Sequence, residues 1–253
     1  MPPLDHLDRA ALDTPGAAQG LPAPRVAVLQ PYLFPYLGTY QLARAVDRFV
    51  FFDDVAFIKK GFIHRNTLLL DGQAHAFTAP VRHASQNRSI AEHEYVGDWA
   101  PLLALIDRAY ARAPQFEPVR ALVHRVLLDP DENVARKNAR SVVAVFEYLG
   151  LPLSHGMASR HALPPTLRAS ARVRAICHAE GARSYLNPAG GRALYDAAEF
   201  LADGLALRFC AMGPLRYAQP APAFVPNLSV IDALMHCPPA EVVRLFGGAT
   251  LSA

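Results

Sequence analysis

The chain has 253 residues, 52% of them hydrophobic, with a formal net charge of +3 and three cysteines. That supplies apolar side chains for one large domain or for a core with an insertion. No Lys/Arg tract gives an electrostatic signature for nucleic acid, no apolar run approaches the roughly 20 residues that span a bilayer, and Cys177, Cys210 and Cys237 are too far apart for a zinc or redox CxxC pattern.

The first 24 residues, MPPLDHLDRAALDTPGAAQGLPAP, lack a basic start followed by an apolar block. They argue against a secretory signal and predict a flexible leader. A cytoplasmic chain with reduced, buried thiols is expected. Residues 25–253 are expected to form a single domain.

Arg25 to Leu29 reads as a strand and Tyr36 to Val46 as an amphipathic helix. Phe49 to Phe52 is apolar throughout, as a strand covered on both faces is. FIHRNTLLL and AHAFTAPV flank Asp71-Gly72, which predicts a hairpin. SIAEHEYV reads as another strand. Between about 99 and 150 three helical patterns follow one another, with Asp131 as a candidate N-cap and Gly150 as a candidate C′ residue. LPLSH then reads as a strand, TLRASARVRAICHAEG as a helix and SYLNP as a strand. ALYDAAEFLADG is predicted helical, LALRFC extended and SVIDALMHC helical, before a short tail.

This order predicts an α/β fold: a mostly parallel Rossmann-like sheet flanked by helices, with an antiparallel hairpin and a helical insertion. Ligands of such sheets sit beyond the carboxyl ends of the strands. That rule puts Gln30 to Tyr36, Asp53-Asp54, His155 to Arg160 and Asn187 to Gly191 on one rim.

Three of these stretches carry candidate chemistry. In LQPYLFPYLG, Pro31 ends the strand and restricts Gln30, while Pro35 is expected in the first turn of the helix. The loop between them is expected to be rigid, with Gln30, Tyr32 and Tyr36 facing a ligand; a packed turn is the plain alternative. In FFDDVAFIKKGFIHRN, Asp53 or Asp54 would hold a metal, take a proton or bind a hydroxyl, and Lys60, His64, Arg65 and Asn66 follow closely. Adjacent residues of an extended chain face opposite sides, so the two aspartates serve different ligands. A surface turn with salt bridges is the alternative there. In SYLNPAGGRALYD, a strand, two glycines and a helix let backbone approach a ligand, although no nucleotide-specific code is present. No HExxH, HxH or GxSxG pattern occurs, so no metal site or serine elbow is expected and no cofactor is named.

Taken together, QPYLFPYLGTYQLARAVDRFVFFDDVAFIKKGFIHRN, NRSIAEHEY, Trp99 with AYARAPQF, SYLNPAGGRALYD and FVPNLSVIDALM resemble the WbqC-like proteins, linked to O-antigen and other surface-polysaccharide gene sets. The resemblance runs from about Val26 to Phe246. It carries over onto Gln30, Pro31, Tyr32, Pro35, Gly38, Asp53, Asp54, Lys60, Arg65, Asn66, Tyr185, Gly190, Tyr195, Ser229 and Asp232. The chain departs from the family's pattern at His64, at Ala158-Ser159 and at Tyr36.

The resemblance implies a transferase acting on a sugar or glycoconjugate precursor, with acyl or aminoacyl (glycyl) transfer to an aminosugar as the preferred reaction. A nucleotidylyltransferase-like enzyme and a non-catalytic binding or scaffold protein are the alternatives. The expected partner is a small-molecule or activated acyl or sugar substrate, and the sequence names no oligomeric state. In the transferase reading Asp53, Asp54 and His64 are the candidate catalytic residues. Gln30, Tyr32, Tyr36, Lys60, Arg65, Asn66, Ser159, Tyr185, Asn187, Gly190, Gly191, Tyr195 and Asp232 are the candidate binding residues. Gln30, Tyr32, Asp53 and Arg65 are expected around one cavity.

Overall fold

The structure, a computed structural model, describes residues 20–213 and 215–252. Most of the predicted leader, residues 1–19, lies outside these; residues 20–24 run irregularly into the first strand.

A six-stranded sheet forms the frame. Its strands are β1 (Arg25–Leu29), β2 (Arg48–Phe51), β5 (His155–Met157), β6 (Ser184–Pro188), β7 (Ala206–Ala211) and β8 (Thr250–Ser252), in the order β5-β2-β1-β6-β7-β8. All neighbours are parallel except β7 and β8. A separate hairpin pairs β3 (Arg65–Leu70) with β4 (Gln73–Thr78). Its turn places Asp71 at φ 50° and Gly72 at φ 75°, the pair of positive angles that matches the twist of two tightly joined strands.

The helices are α1 (Leu37–Arg44), α2 (Ala100–Tyr110), α3 (Phe116–Leu127), α4 (Val134–Tyr148), α5 (Ala169–Ala179), α6 (Ala197–Ala202), α7 (Val230–His236) and α8 (Pro239–Phe246). They cover both faces of the sheet. On one face Ala27, Phe49, Phe51 and Leu186 pack with side chains of α1, α3, α4, α7 and α8. On the other, Val26, Val28, Val50 and Tyr185 pack with Val173 and Ile176 of α5 and Phe200 of α6. That two-sided burial is why β1 and β2 read as unbroken apolar runs. Each fully buried large side chain contributes about 2 kcal/mol through removal from water. Tyr40 shows the packing: its ring lies 4.9 Å from that of Phe246 and 5.9 Å from that of Phe146.

Several local expectations are corrected. SIAEHEYV is a 3-10 turn (Ile90–Glu92) closed by a capping box between Ser89 and Glu92, followed by isolated bridges at Glu94 and Tyr95. The N-cap of α4 is Asn133, whose side chain accepts from the Arg136 N–H. Asp131 instead accepts from the Asn133 N–H and pairs with Arg136. Pro35 precedes the N-cap, Tyr36, and so stands just outside α1. His155 opens β5 and therefore lies away from its carboxyl end; only Ala158–Arg160 of that stretch belongs to the rim. ALYDAAEFLADG splits into a 3-10 turn ending at Leu194 and then α6. The tail contains α8 and β8. Gly150 does take the C′ position after α4, at φ 67°.

Candidate functional site

The strand order reverses at β1. From β1 the chain moves outward to β2 and then β5, then returns to β6 on β1's other side. The connections after β1 and β6 leave in different directions and open a crevice at the carboxyl ends, where parallel α/β sheets bind ligands.

Gln30 and Asn187 stand at that crevice. Gln30 continues the alternation of Val26 and Val28, which face α5 and α6. Asn187 continues from Tyr185, on the same face. The register pairs Val26 with Tyr185, so β1 and β6 are neighbouring strands that run in the same direction toward the crevice. The Tyr32 hydroxyl donates to Gln30 Oε1 at 3.2 Å. The Tyr185 hydroxyl donates to Asn187 Oδ1 at 3.0 Å and lies 3.4 Å from the Tyr195 hydroxyl. Burial pushes the Tyr185 and Tyr195 phenols up, so both stay protonated. A Cβ on Gly191 would come within 2.2 Å of Asn187 Nδ2. Glycine is therefore needed there for space, and Asn187 lies against bare backbone. Gly190 has open space around its Cα.

Asp53 and Asp54 follow β2. The Phe52 N–H donates to the Leu29 carbonyl at 2.8 Å, so the loops after β1 and β2 leave the sheet side by side. Asp53 is 2% exposed. Its Oδ1 accepts from the Ser159 N–H at 2.9 Å and its Oδ2 from the Ser159 hydroxyl at 2.6 Å. Burial pushes its carboxyl above the usual carboxylate range, against the pull of the two Ser159 bonds. A carboxyl that holds its proton more readily is better suited to acid–base exchange than an exposed carboxylate. Asp54 faces the other way, and its Oδ2 accepts from Arg172 Nη2 at 2.5 Å. The two carboxylates thus serve different partners, as strand alternation requires.

The loop from Pro31 to Tyr36 is held from beneath by residues of α4, β3 and the start of α7. Asn138 Nδ2 donates to the carbonyls of Pro31 at 3.0 Å and Ile63 at 2.7 Å, while its Oδ1 accepts from the Tyr95 hydroxyl at 2.7 Å. The Phe34 N–H donates to Ser141 Oγ at 2.9 Å. The Phe34 carbonyl accepts from Asn66 Nδ2 at 2.6 Å and from the Ser229 hydroxyl at 2.8 Å. Phe34 has φ 44°, a left-handed conformation costly for a bulky residue. Such strain persists where surrounding contacts over-determine it, and here both backbone polar groups of Phe34 are fixed.

The candidate residues therefore divide. Gln30 with Tyr32, Asp53 with Ser159, and Tyr185 with Asn187 and Tyr195 form three separate groups at the carboxyl ends, Asp53 on the opposite face from the other two. Asn66 joins the loop anchor. Asp232, fully buried, accepts from the hydroxyls of Tyr110 at 3.0 Å and Tyr217 at 2.7 Å and from Gln219 Nε2 at 2.9 Å. Lys60 and Arg65 are exposed, and Arg65 Nη1 donates to the Lys60 carbonyl at 3.4 Å. His64 is buried against the Phe57 ring, and burial lowers its pKa. Tyr36 lines a hollow of about 220 Å³ with Met212, Tyr217 and Phe224, and another of about 230 Å³ adjoins Asp129 and Lys137. Neither of these two hollows is lined by Gln30, Tyr32, Asp53 or Arg65. Sequence reasoning missed Asn138, Ser141 and Arg172. Asn138 and Ser141 are polar residues on the inward face of α4, a readable departure from its apolar pattern; Arg172 left no local signal.

Among the described residues no group of three or more His, Cys, Asp or Glu side chains could hold a metal ion, and no helix is long and apolar enough to cross a membrane. No solved structure matches the chain. A Mycobacterium tuberculosis (strain ATCC 25618 / H37Rv) protein named Uncharacterized protein Rv1507c is 25% identical over 219 residues, covering 84% of this chain and 93% of its own. The model of the WbqC-like protein family matches residues 30–244, from the opening loop into α8. The chain belongs to the WbqC-like protein family.

Proposed function

We propose that the protein is a transferase acting on a sugar or glycoconjugate precursor held across the crevice between β1 and β6. The carrying observation is the coincidence of the strand-order reversal with two amide side chains, Gln30 and Asn187, on one face of the sheet. Each amide both donates and accepts, the combination that suits hydroxyl-rich ligands. In this reading Gln30 and Asn187 orient the sugar, and Asp53, buried and pointing to the other side of the chain from them, exchanges a proton only through the exposed Ser159 hydroxyl. The preferred reaction is acyl or aminoacyl transfer, glycyl included, to an aminosugar. The reading is of a cytoplasmic enzyme in surface-polysaccharide synthesis; the free thiols of Cys177, Cys210 and Cys237 suit a reducing compartment.

One observation favours a second reading, a binding protein without chemistry. Both aspartates after β2 already have internal partners, so neither is an unengaged base. A single series separates the two. The full chain is heated with nucleotide-sugars, aminosugars, acyl thioesters and amino acids in turn. A ligand at about 100 times its Kd adds about 2.7 kcal/mol, which is about 5–10 °C at this chain length. Gln30→Ala should abolish the shift while leaving the unliganded melting temperature within about 2 °C; Asn187→Ala should abolish it from a baseline lowered by about 4–8 °C, since its two internal hydrogen bonds are lost. Turnover of a stabilising pair of substrates favours the transferase. Recovery of that pair unchanged favours the binding protein, and a shift that survives both substitutions removes the crevice from either reading.

A further inference from the structure

Among the described residues six arginine–aspartate pairs invite comparison; Arg108–Asp71 is exposed with one contact at 3.4 Å, and Arg174 divides its donors between Asp203 and Glu199. In three of them, Arg25–Asp47, Arg120–Asp107 and Arg136–Asp131, the arginine donates through both Nε and Nη2 to the two oxygens of the carboxylate. This is the two-point contact that guanidinium and carboxylate favour. Arg172–Asp54 differs. Nη2 meets Oδ2 at 2.5 Å, but Arg172 Nε and Asp54 Oδ1 have no partner. Both atoms are shielded from solvent, while their side chains keep only 13% and 14% exposure. An unpaired buried donor and an unpaired buried acceptor each carry a desolvation cost, and here they occur on the same ion pair.

Position makes the omission informative. Arg172 lies in the first turn of α5, where the helix dipole disfavours a cation, so Asp54 accounts for its placement. The strand alternation puts Asp54 on the α5 side of the sheet with Phe52, the face on which Gln30 and Asn187 stand. A hydroxyl group is the simplest partner for both orphaned atoms. Its oxygen accepts from an N–H while its own proton goes to a carboxylate oxygen. The terminal torsion of aspartate is soft, so a small rotation of the Asp54 carboxylate admits the group.

We propose that Asp54 and Arg172 form a hydroxyl clamp, in which a ring hydroxyl of the substrate accepts from Arg172 Nε–H and donates to Asp54 Oδ1. The claim rests on the reading of the crevice as a sugar site and deepens it. It assigns Arg172 to substrate binding and gives Asp54 a recognition role distinct from that of Asp53. A water molecule offers the same chemistry, so the test separates the two sources.

The experiment has two parts. The first is a crystal structure of the full chain without ligand at a resolution that resolves water. An oxygen within hydrogen-bond distance of both Arg172 Nε and Asp54 Oδ1 supports the clamp; a closed two-point pair with nothing between overturns it. The second is calorimetric titration of wild type and Arg172→Lys with UDP-N-acetylglucosamine, glucosamine and their single-deoxy analogues. Lysine keeps the charge and one contact but loses the Nε–H donor. A clamp on substrate predicts about ten- to hundredfold weaker binding of one parent sugar to the variant, and equal binding of one deoxy analogue to both proteins. Equal binding of every sugar to both proteins overturns the substrate assignment. If no sugar binds the wild type, the sugar reading of the crevice fails, and a bridging oxygen in the ligand-free crystal then assigns the pair to water. Should Arg172→Lys melt far below the wild type, Asp54→Asn takes its place in the same titrations.

Discussion

Two buried polar networks serve neighbouring loops at the carboxyl ends of β1 and β2 and are built to different standards. Beneath the opening loop, every polar atom of Asn138 has a partner and both backbone groups of Phe34 are held. At the ends of β2 and α5, Asp54 Oδ1 and Arg172 Nε have none, and Asp53 carries a carboxyl pushed up by burial. A satisfied network fixes one conformation, whereas an incomplete one stores a preference for whatever completes it. The polar residues of the opening motif thus do two jobs, one holding the loop and the other facing the crevice.

Breaking the satisfied network should have the largest effect. Asn138→Ala removes three hydrogen bonds and strands the Pro31 carbonyl and the Tyr95 hydroxyl, while the Ile63 carbonyl keeps the Leu33 N–H. It is expected to cost about 3–4 kcal/mol, read as a fall in the urea midpoint with unchanged slope. A loss under about 1 kcal/mol would mean that the loop is not held from α4. Asp232→Asn comes next. Its carboxylate accepts from two phenols and an amide, and burial raises both phenols so that they remain donors. An amide places an N–H against donors, costing about 2 kcal/mol, or about 4–8 °C in melting temperature.

The incomplete network should show itself through pH. The folded-state pKa of Asp53 is raised, so its contribution to stability is full below the unfolded value, about 3.9, and is lost as pH rises through the folded value. Urea titrations of wild type and Asp53→Asn from pH 3.5 to 7 should therefore show the stability of wild type relative to variant falling as pH rises. A difference that grows with pH would mean that the Ser159 bonds outweigh burial. The smallest effect tests the apolar face. The Tyr40 hydroxyl is buried without a partner, so Tyr40→Phe should be neutral or stabilising by about 1 kcal/mol. A loss of more than 1 kcal/mol would reveal a partner for the hydroxyl.

The legible part of this molecule was the part set by local pattern. The unbroken apolar runs of β1 and β2, the Asp71-Gly72 turn and the three-to-four spacing of α2, α3 and α4 are statements about neighbours in sequence. Where two physical causes produce one pattern, the reading failed. SIAEHEYV alternates like a strand, but Ser89 and Glu92 close a capping box and wind it into a turn. The segment after SVIDALMHC reads as a short tail, although Pro239 at the first helical position starts α8 there. The site was legible as a rim and illegible as a set of partners. Ser159 and Arg172 stand 106 and 118 residues from the aspartates they meet, and only the register of β1, β2, β5 and β6 brings them together.

The sheet's borders have a consequence of their own. β5 closes one side and β8 the other, and each is three residues long. A bare strand edge is a template on which a second chain can pair, and its hazard grows with length. Here each border offers about 10 Å of backbone, against strands of four to six residues inside. Among the described residues, the sheet therefore offers little footing for polymerisation: a neighbour meeting either border finds too few free amides to start a fibril.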